Sequence, residues 1–341
     1  MTPLSIILRQ ATRGKDEPIN ILCIPTHERY ETSLAATGYN FYALQAKGLK
    51  TWNTDYAPLP ANYHVMHHSN GTLNLPSWIT PDVVLSQSKA CQYAPLAKIA
   101  HQLGLPLISL EHTLPGAASL QYKQVAQQML GDINVFVSEY QKEEWGIDGT
   151  VIHTGIDTEV FCPDDSVKRD QVVLSVVNDW VNRDKECGFS LWCSVVELQD
   201  CGNGMSTVFP TRVLGNTPGL SKPAKDIPSL VHAYRTSSVY LNTTIVSSLP
   251  TVILEAMACG LPVVSTGTCL IPKIIIEHGV NGFIGNSPQE LRGYVELVLN
   301  DKALAKKIGE AGRKTVEEKF TKNMFVSKWQ EIFNQVRQIR K

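Results

Sequence analysis

Short apolar runs bounded by turn residues recur along the chain, with helix-length amphipathic segments between them. They fall at 19–24, 39–44, 82–85, 106–110 and 133–137, and again at 172–177, 208–214, 239–241 and 262–265. Runs of this length read as buried strands. Strands that alternate with helical stretches build βαβ units, whose sheets are parallel and covered on both faces. The predicted class is therefore α/β. A polar stretch over residues 158–170, TEVFCPDDSVKRD, separates the runs into two groups of comparable length and reads as an interdomain linker. The expected division is a first domain over 1–160, a second over 161–320 and a last amphipathic helix over 321–341. In that helix Phe325, Trp329, Ile332, Val336 and Ile339 recur every three or four residues as one apolar stripe.

Composition narrows the function without naming it. A chain of 341 residues that is 43% hydrophobic suits two globular domains and argues against disorder. Its net charge of −1 supplies no field for a nucleic-acid partner, and none is expected. Residues 301–341 carry 11 basic and 5 acidic side chains, a local +6. That run is either the solvated face of a packed helix or a weak peripheral membrane contact. No apolar stretch is long enough to span a bilayer and the first residues are too short for a signal segment, so a soluble protein is expected. Eight cysteines without a CxxC pair fit a reducing, cytoplasmic setting. His64, His67 and His68 have no carboxylate or cysteine partner at ligand spacing, so they are read as surface or packing residues and no metal is expected.

Two nucleotide motifs are absent. The first strand is followed by Ile24-Pro25-Thr26-His27-Glu28-Arg29-Tyr30-Glu31 rather than GxGxxG, and no GxxxxGK[ST] occurs. Dinucleotide oxidoreductases and P-loop NTPases are disfavoured. The informative stretch is Ser247-Ser248-Leu249-Pro250-Thr251-Val252-Ile253-Leu254-Glu255-Ala256-Met257-Ala258-Cys259-Gly260-Leu261-Pro262, followed by an apolar strand. It reads as loop, short helix and stop, with Gly260 past the helix end and Pro262 blocking its continuation. Small residues at 256 and 258–260 let the helix lie close to its neighbours. Thr251 and Glu255 stand four apart on one face, beside the unpaired N–H groups of a helix start. Such a start binds anions, and a carboxylate one turn along suits vicinal ribose hydroxyls. A buried glutamate bonded to neighbouring groups is the equally open structural reading of Glu255.

The run LEAMACGLPVVST, with Ile271-Pro272 and His278-Gly279-Val280-Asn281-Gly282-Phe283 after it, resembles the signature of the retaining glycosyltransferases of the GT-B fold. Val135–Tyr140 and Val151–Phe161 resemble the passage that joins the two domains in that family, and further matches run from about 105 to 320. The resemblance implies two Rossmann-like parallel-sheet domains facing across a cleft. It also implies transfer of a sugar from a nucleoside-diphosphate sugar to a hydroxyl of a glycan, polysaccharide or glycolipid, with no cofactor and no metal.

Carried over residue by residue, Glu255 matches the second glutamate of the family's E-x7-E motif, which binds the donor ribose. The first glutamate is replaced by Ser247, which can hydrogen-bond but supplies no negative charge near an oxocarbenium ion. Ser248, Thr251 and Val252 offer loop and helix-start backbone to sugar and phosphate, and Gly215 and Asn216, after the strand that precedes the signature, are further substrate-binding candidates. Asn178 stands where the family has an arginine, which leaves Lys185 and Arg183 as the cations for the diphosphate. Cys269-Leu270 and Lys273 replace a glycine pair and a glutamate beside it. His112, after a predicted first-domain strand, matches the family's active-site histidine; a structural histidine is the alternative. His27, Glu28 and Arg29 are acceptor-side candidates by position. The departures at 178, 247 and 269–270 keep a second function open, a catalytically impaired protein of this fold that binds a glycan, a nucleotide or a partner protein.

Overall fold

The computed structural model describes residues 2–339 apart from 13, 15, 16, 46–50, 55, 68–77, 117–119, 201–204 and 269–274. The chain divides into two units, one running to Gly155 and resuming at Asn323, the other Ile156–Lys322. In the first, the strands are β1 (Asn20–Cys23), β2 (Asn40–Gln45), β3 (Tyr63–His67), β4 (Val83–Ser86), β5 (Leu107–Glu111), β6 (Ile133–Phe136) and β7 (Thr150–Val151). They form one sheet in the order 3-2-1-4-5-6-7, with every pairing parallel. Between them lie α1 (Pro3–Thr12), α2 (Glu28–Ala35), α3 (Tyr93–Leu103), α4 (Leu120–Ala126) and α5 (Glu139–Trp145). The five expected strands are present. β3 and β7 were not expected: YHVMH alternates polar and apolar positions and lies at the sheet edge, and β7 has two residues. His64 stacks on Tyr42 with ring centroids 5.0 Å apart, and His68 lies outside the described residues.

The second unit holds β8 (Val173–Val176), α6 (Asp184–Cys187), α7 (Phe189–Val196), the antiparallel pair β9 (Gln199–Asp200) and β10 (Met205–Ser206), β11 (Thr211–Leu214) and α8 (Ile227–Thr236). It continues through β12 (Val239–Asn242), α9 (Thr251–Ala258), β13 (Val263–Thr266), β14 (Phe283–Gly285), α10 (Pro288–Asn300) and α11 (Lys302–Lys319). Its parallel sheet runs 11-8-12-13-14. The strand expected over 208–214 begins only at Thr211, after Pro210, which has no N–H to give a ladder. Around β8, β12 and β13 the core gathers Trp180, Trp192, Phe209, Val239, Leu241, Val264, Phe283 and Val295.

The polar stretch read as a linker is packed into the second unit. Arg169 donates to four carbonyls at helix ends and turns, Tyr234 at 3.0 Å, Ser237 at 2.7 Å, Cys259 at 2.9 Å and Gly260 at 3.1 Å. It thereby satisfies acceptors that the ends of α8 and α9 leave open. The last helix, α12 (Lys322–Gln338), returns to the first unit. Phe325 meets Tyr30 at 5.3 Å, Phe333 meets Tyr39 at 5.5 Å, and Gln330 donates to the Thr37 carbonyl at 3.0 Å. The expected stripe is buried from Phe325 to Val336, whereas Ile339 is exposed. Among the described residues no helix is long and apolar enough to cross a membrane.

The small residues of α9 do allow close packing, and its partner helix answers with glycines. A Cβ on Gly309 of α11 would lie 2.2 Å from the Gly260 carbonyl, and one on Gly312 3.4 Å from Met257. Gly293, exposed on the outer face of α10, has nothing within 4 Å of such an atom. Gly309→Ala is therefore expected to lower stability by about 2 kcal/mol through overpacking. Gly293→Ala should raise it by up to about 1 kcal/mol through helix propensity. Urea unfolding of both variants beside the parent checks the pair.

Candidate functional site

In an open parallel sheet, ligands bind beyond the carboxyl ends of the strands, where the strand order reverses. In the second sheet that point lies between β8 and β12, because β11 was laid down on one side of β8 and β12 on the other. The connections leaving β8 and β12 carry most of the residues singled out from the sequence.

The β8 connection is laced to its neighbour. Asn178 Oδ1 accepts from the Asn216 N–H at 2.8 Å, Asp179 N–H donates to the Asn216 carbonyl at 2.8 Å, and Trp180 N–H donates to Thr217 Oγ1 at 3.0 Å. Gly215, at φ 122°, makes this possible, since a Cβ there would lie 1.9 Å from the Val177 carbonyl oxygen. Asn178, Gly215 and Asn216 thus come together, with Asn178 occupied in tying two turns. The chain then turns through Arg183 into α6, where Arg183 and Lys185 are exposed and, among the described residues, form no ion pair.

A second close approach joins this segment to the β12 connection. Gly188, at φ 66°, faces Thr243, and a Cβ there would lie 2.1 Å from its carbonyl oxygen. The N–H groups of Ile245 and Val246 donate to the Glu186 carbonyl at 2.8 and 3.0 Å, and Trp180 Nε1 donates to the Cys187 carbonyl at 2.8 Å. The turn that carries the two cations is therefore fixed against the loop leading through Ser247 and Ser248 into α9. Ser248 is buried, while Ser247, Thr251 and Val252 are half-buried. Pro250 caps α9 without a side-chain bond, and the first turn contains no acidic residue. Among the described residues the Thr251 and Val252 N–H groups make no hydrogen bond, so the positive end of the helix is left for an anion.

Glu255 points into the unit. It is buried, and its Oε2 accepts from the Tyr234 hydroxyl at 2.9 Å. Residues 269–274, with Cys269, Leu270 and Lys273, lie outside the described residues. Sequence reasoning missed Tyr234, Thr243 and Gly188 as determinants. Their partners are remote along the chain, and no local pattern marks them.

In the first sheet the order reverses between β1 and β4, and the connections after them carry another polar cluster. His112 follows β5 and is half-buried. Its Nε2 lies 3.3 Å from Gln87 Oε1, and Tyr30 meets the ring edge-on at 4.5 Å. Burial and the neighbouring His27 push its pKa down to about 4. His27 is exposed and precedes α2, whereas Glu28 is buried and accepts from the Asn53 N–H at 3.0 Å. Lys89 is buried too, donating to Ser109 Oγ at 3.2 Å and the Met129 carbonyl at 2.5 Å. Burial lowers its pKa to about 8 against the opposing pull of Glu111. Among the described residues no three His, Cys, Asp or Glu side chains cluster as metal ligands would.

Residues 220–315 match the family model for glycosyl transferases group 1. An 88-residue stretch is 35% identical to N-acetyl-alpha-D-glucosaminyl L-malate synthase of Bacillus anthracis, covering 25% of this chain and 23% of that protein. The match thus spans about a quarter of that curated relative. Among solved structures, HepE of Anabaena in complex with UDP superposes with a TM-score of 0.70 at 15% identity, over 94% of this chain and 100% of the other. Sucrose-phosphate synthase of Thermosynechococcus elongatus superposes with a TM-score of 0.72 at 15% identity, over 93% and 99%. The resemblance read from the sequence is borne out, and the fold is that of the GT-B glycosyltransferases.

The low pKa of His112 has a stability consequence. The unfolded chain takes up this proton near the ordinary histidine value of about 6.5 and the folded chain near 4, so stability present above pH 6.5 is lost as pH falls toward 4. His112→Gln should show a shallower loss over that window in urea unfolding at a series of pH values.

Proposed function

We propose that the protein is a retaining glycosyltransferase that moves a sugar from a nucleoside-diphosphate sugar to a hydroxyl of a glycan, polysaccharide or glycolipid. The observation that carries this reading is the opening of α9. Two unpaired N–H groups stand at the reversal point of the second sheet, and Lys185 and Arg183 stand on a turn hydrogen-bonded to the loop that enters the helix. That combination of helix dipole and exposed cations suits a diphosphate. HepE, a protein of the same fold, is known in complex with UDP and with UDP-glucose, which makes uridine nucleotides the first donors to try.

Departure of the nucleoside diphosphate is the step that needs help, because negative charge grows on the leaving oxygen. Lys185, Arg183 and the α9 N–H groups stabilise that charge, and the second unit thereby holds the donor. Ser248 and Val252 lend backbone to the sugar and phosphate, Asn178 and Asn216 shape the adjoining turn with Gly215, and Ser247 offers a hydrogen bond. Glu255, buried and bonded to the Tyr234 hydroxyl, is the residue carried over from the family motif as the ribose contact. The acceptor hydroxyl attacks from the face that the leaving group vacates and passes its proton to the departing phosphate oxygen as the sugar–phosphate bond breaks; His112 of the first unit is a contact for a carbohydrate hydroxyl. No metal or organic cofactor enters this scheme, and its setting is cytoplasmic. With a glycolipid acceptor, the basic residues of the last 41 positions favour an anionic membrane surface.

One observation favours a second reading. Ser247 removes the carboxylate that elsewhere in the family faces the transferred sugar, which suits a protein that binds donor and transfers slowly or not at all. Calorimetry with UDP-, GDP- and ADP-sugars, followed by product analysis, separates the two. The first reading expects binding with turnover and an unchanged anomeric configuration. Binding without turnover for every donor and acceptor supports the second, and no binding contradicts both. Lys185→Ala is expected to weaken UDP binding about tenfold, the effect of one lost charge-assisted hydrogen bond. Unchanged affinity would remove Lys185 from the site.

A further inference from the structure

At the carboxyl ends of β1 and β4 lies a buried polar chain that has no part in the leaving-group chemistry above. Glu31 of α2 is inaccessible to solvent. Its carboxylate accepts from Thr26 N–H at 2.8 Å, Thr26 Oγ1 at 3.0 Å, Gln87 Nε2 at 2.8 Å and the Tyr63 hydroxyl at 3.0 Å. Gln87 is equally inaccessible, and its Nε2 also faces the Ile24 carbonyl at 3.3 Å. A carbonyl can only accept, so the amide nitrogen must lie on the side of Ile24 and Glu31 and the amide oxygen on the other. There Gln87 Oε1 meets His112 Nε2 at 3.3 Å. An amide oxygen cannot donate, so Nε2 carries the proton and Nδ1 keeps the lone pair.

The backbone beneath the ring is held as firmly. Glu111 Oε1 accepts from the N–H groups of His112 and Thr113, both at 2.9 Å, and from Thr113 Oγ1 at 2.8 Å, while Oε2 accepts from the Lys89 N–H at 2.9 Å. The titratable groups around the imidazole are His27 and Tyr30 by α2, Glu31 behind Gln87, and Glu111 with Lys89 below. Burial and His27 keep the ring uncharged near pH 7. Among the described residues Nδ1 has no hydrogen-bond partner.

We propose that Glu31 and Gln87 are positioning residues that set His112 as an uncharged Nε2–H imidazole, so that Nδ1 is presented as a hydrogen-bond acceptor to a carbohydrate hydroxyl. A lone pair at that place accepts from a hydroxyl and repels a phosphate oxygen, so the device sorts the sugar of a ligand from its diphosphate. The identity of the hydroxyl rests on the glycosyltransferase reading, whereas the tautomer does not.

Nitrogen NMR of the full chain labelled at its histidine rings tests this, with the His112 signals identified by their loss in His112→Gln. The expected spectrum has a protonated Nε2 and an unprotonated Nδ1, unchanged from roughly pH 8 to pH 6. Gln87→Leu should shift both signals toward a mixture of tautomers. Gln87→Glu keeps an accepting oxygen toward Nε2 but sets a second carboxyl against buried Glu31, and the two share one proton, so the ring should keep its Nε2–H tautomer. A protonated Nδ1 in the parent, or a parent-like spectrum in Gln87→Leu, would overturn the proposal. UDP-glucose, and not UDP, should move the Nδ1 signal. If calorimetry shows UDP-glucose bound while Nδ1 stays unmoved, the sugar-facing role is wrong. If no nucleotide sugar binds yet the tautomer is as described, the function proposed above fails and the positioning by Gln87 stands.

Discussion

Two backbone contacts that only glycine tolerates draw the carboxyl edge of the second sheet together. Gly188 lies against the Thr243 carbonyl and Gly215 against the Val177 carbonyl, both with positive φ, and any Cβ would stand about 2 Å from a carbonyl oxygen. These approaches press the connections after β8, β11 and β12 into one surface. The loop entering α9 has its course fixed by hydrogen bonds to Glu186, and the turn bearing Arg183 and Lys185 is fixed by the same bonds from the other side. A larger residue at either position would move the start of α9 away from the turn of Arg183 and Lys185.

The two units handle charge in opposite ways. In the second, the two cations are exposed and, among the described residues, form no ion pair, an arrangement that suits the proposed anion. In the first, Glu31, Lys89 and Glu111 are buried with their hydrogen bonds satisfied from several directions, an arrangement that fixes geometry. Buried charges of that kind are costly unless fully partnered, so their partners determine where neighbouring groups stand. The near-zero net charge of the chain is consistent with both. The anion binding proposed here rests on a few local groups, with no contribution from an overall field.

Much of the fold was legible because buried parallel strands are continuous apolar runs, and every expected strand has a counterpart. What escaped was short or at an edge, where the pattern weakens: β3 with its alternating histidines, two-residue β7 and three-residue β14. The stripe on α12 announced a packed helix, but amphipathicity names a face and no partner, so its return to the first unit was not readable. The polar stretch at 158–170 read as a linker because charged residues usually face water, whereas Arg169 turns inward to serve four carbonyls. In the candidate site, the helix start at Thr251 followed from local sequence, and the cations at 183 and 185 from the family resemblance. Tyr234 on Glu255, Gly188 on Thr243 and Gln87 on His112 are contacts between distant segments, and composition or spacing carries no trace of them.

The central claim is that a nucleoside diphosphate binds where α9 begins, against the turn of Arg183 and Lys185. Hydrogen–deuterium exchange of the full chain with and without saturating UDP tests it most directly. The account predicts slower exchange over residues 178–188 and 243–253, strongest at the amides of Thr251 and Val252, with α1 and β3 unchanged. Bound UDP that leaves the amides at the start of α9 exchanging as before would contradict it.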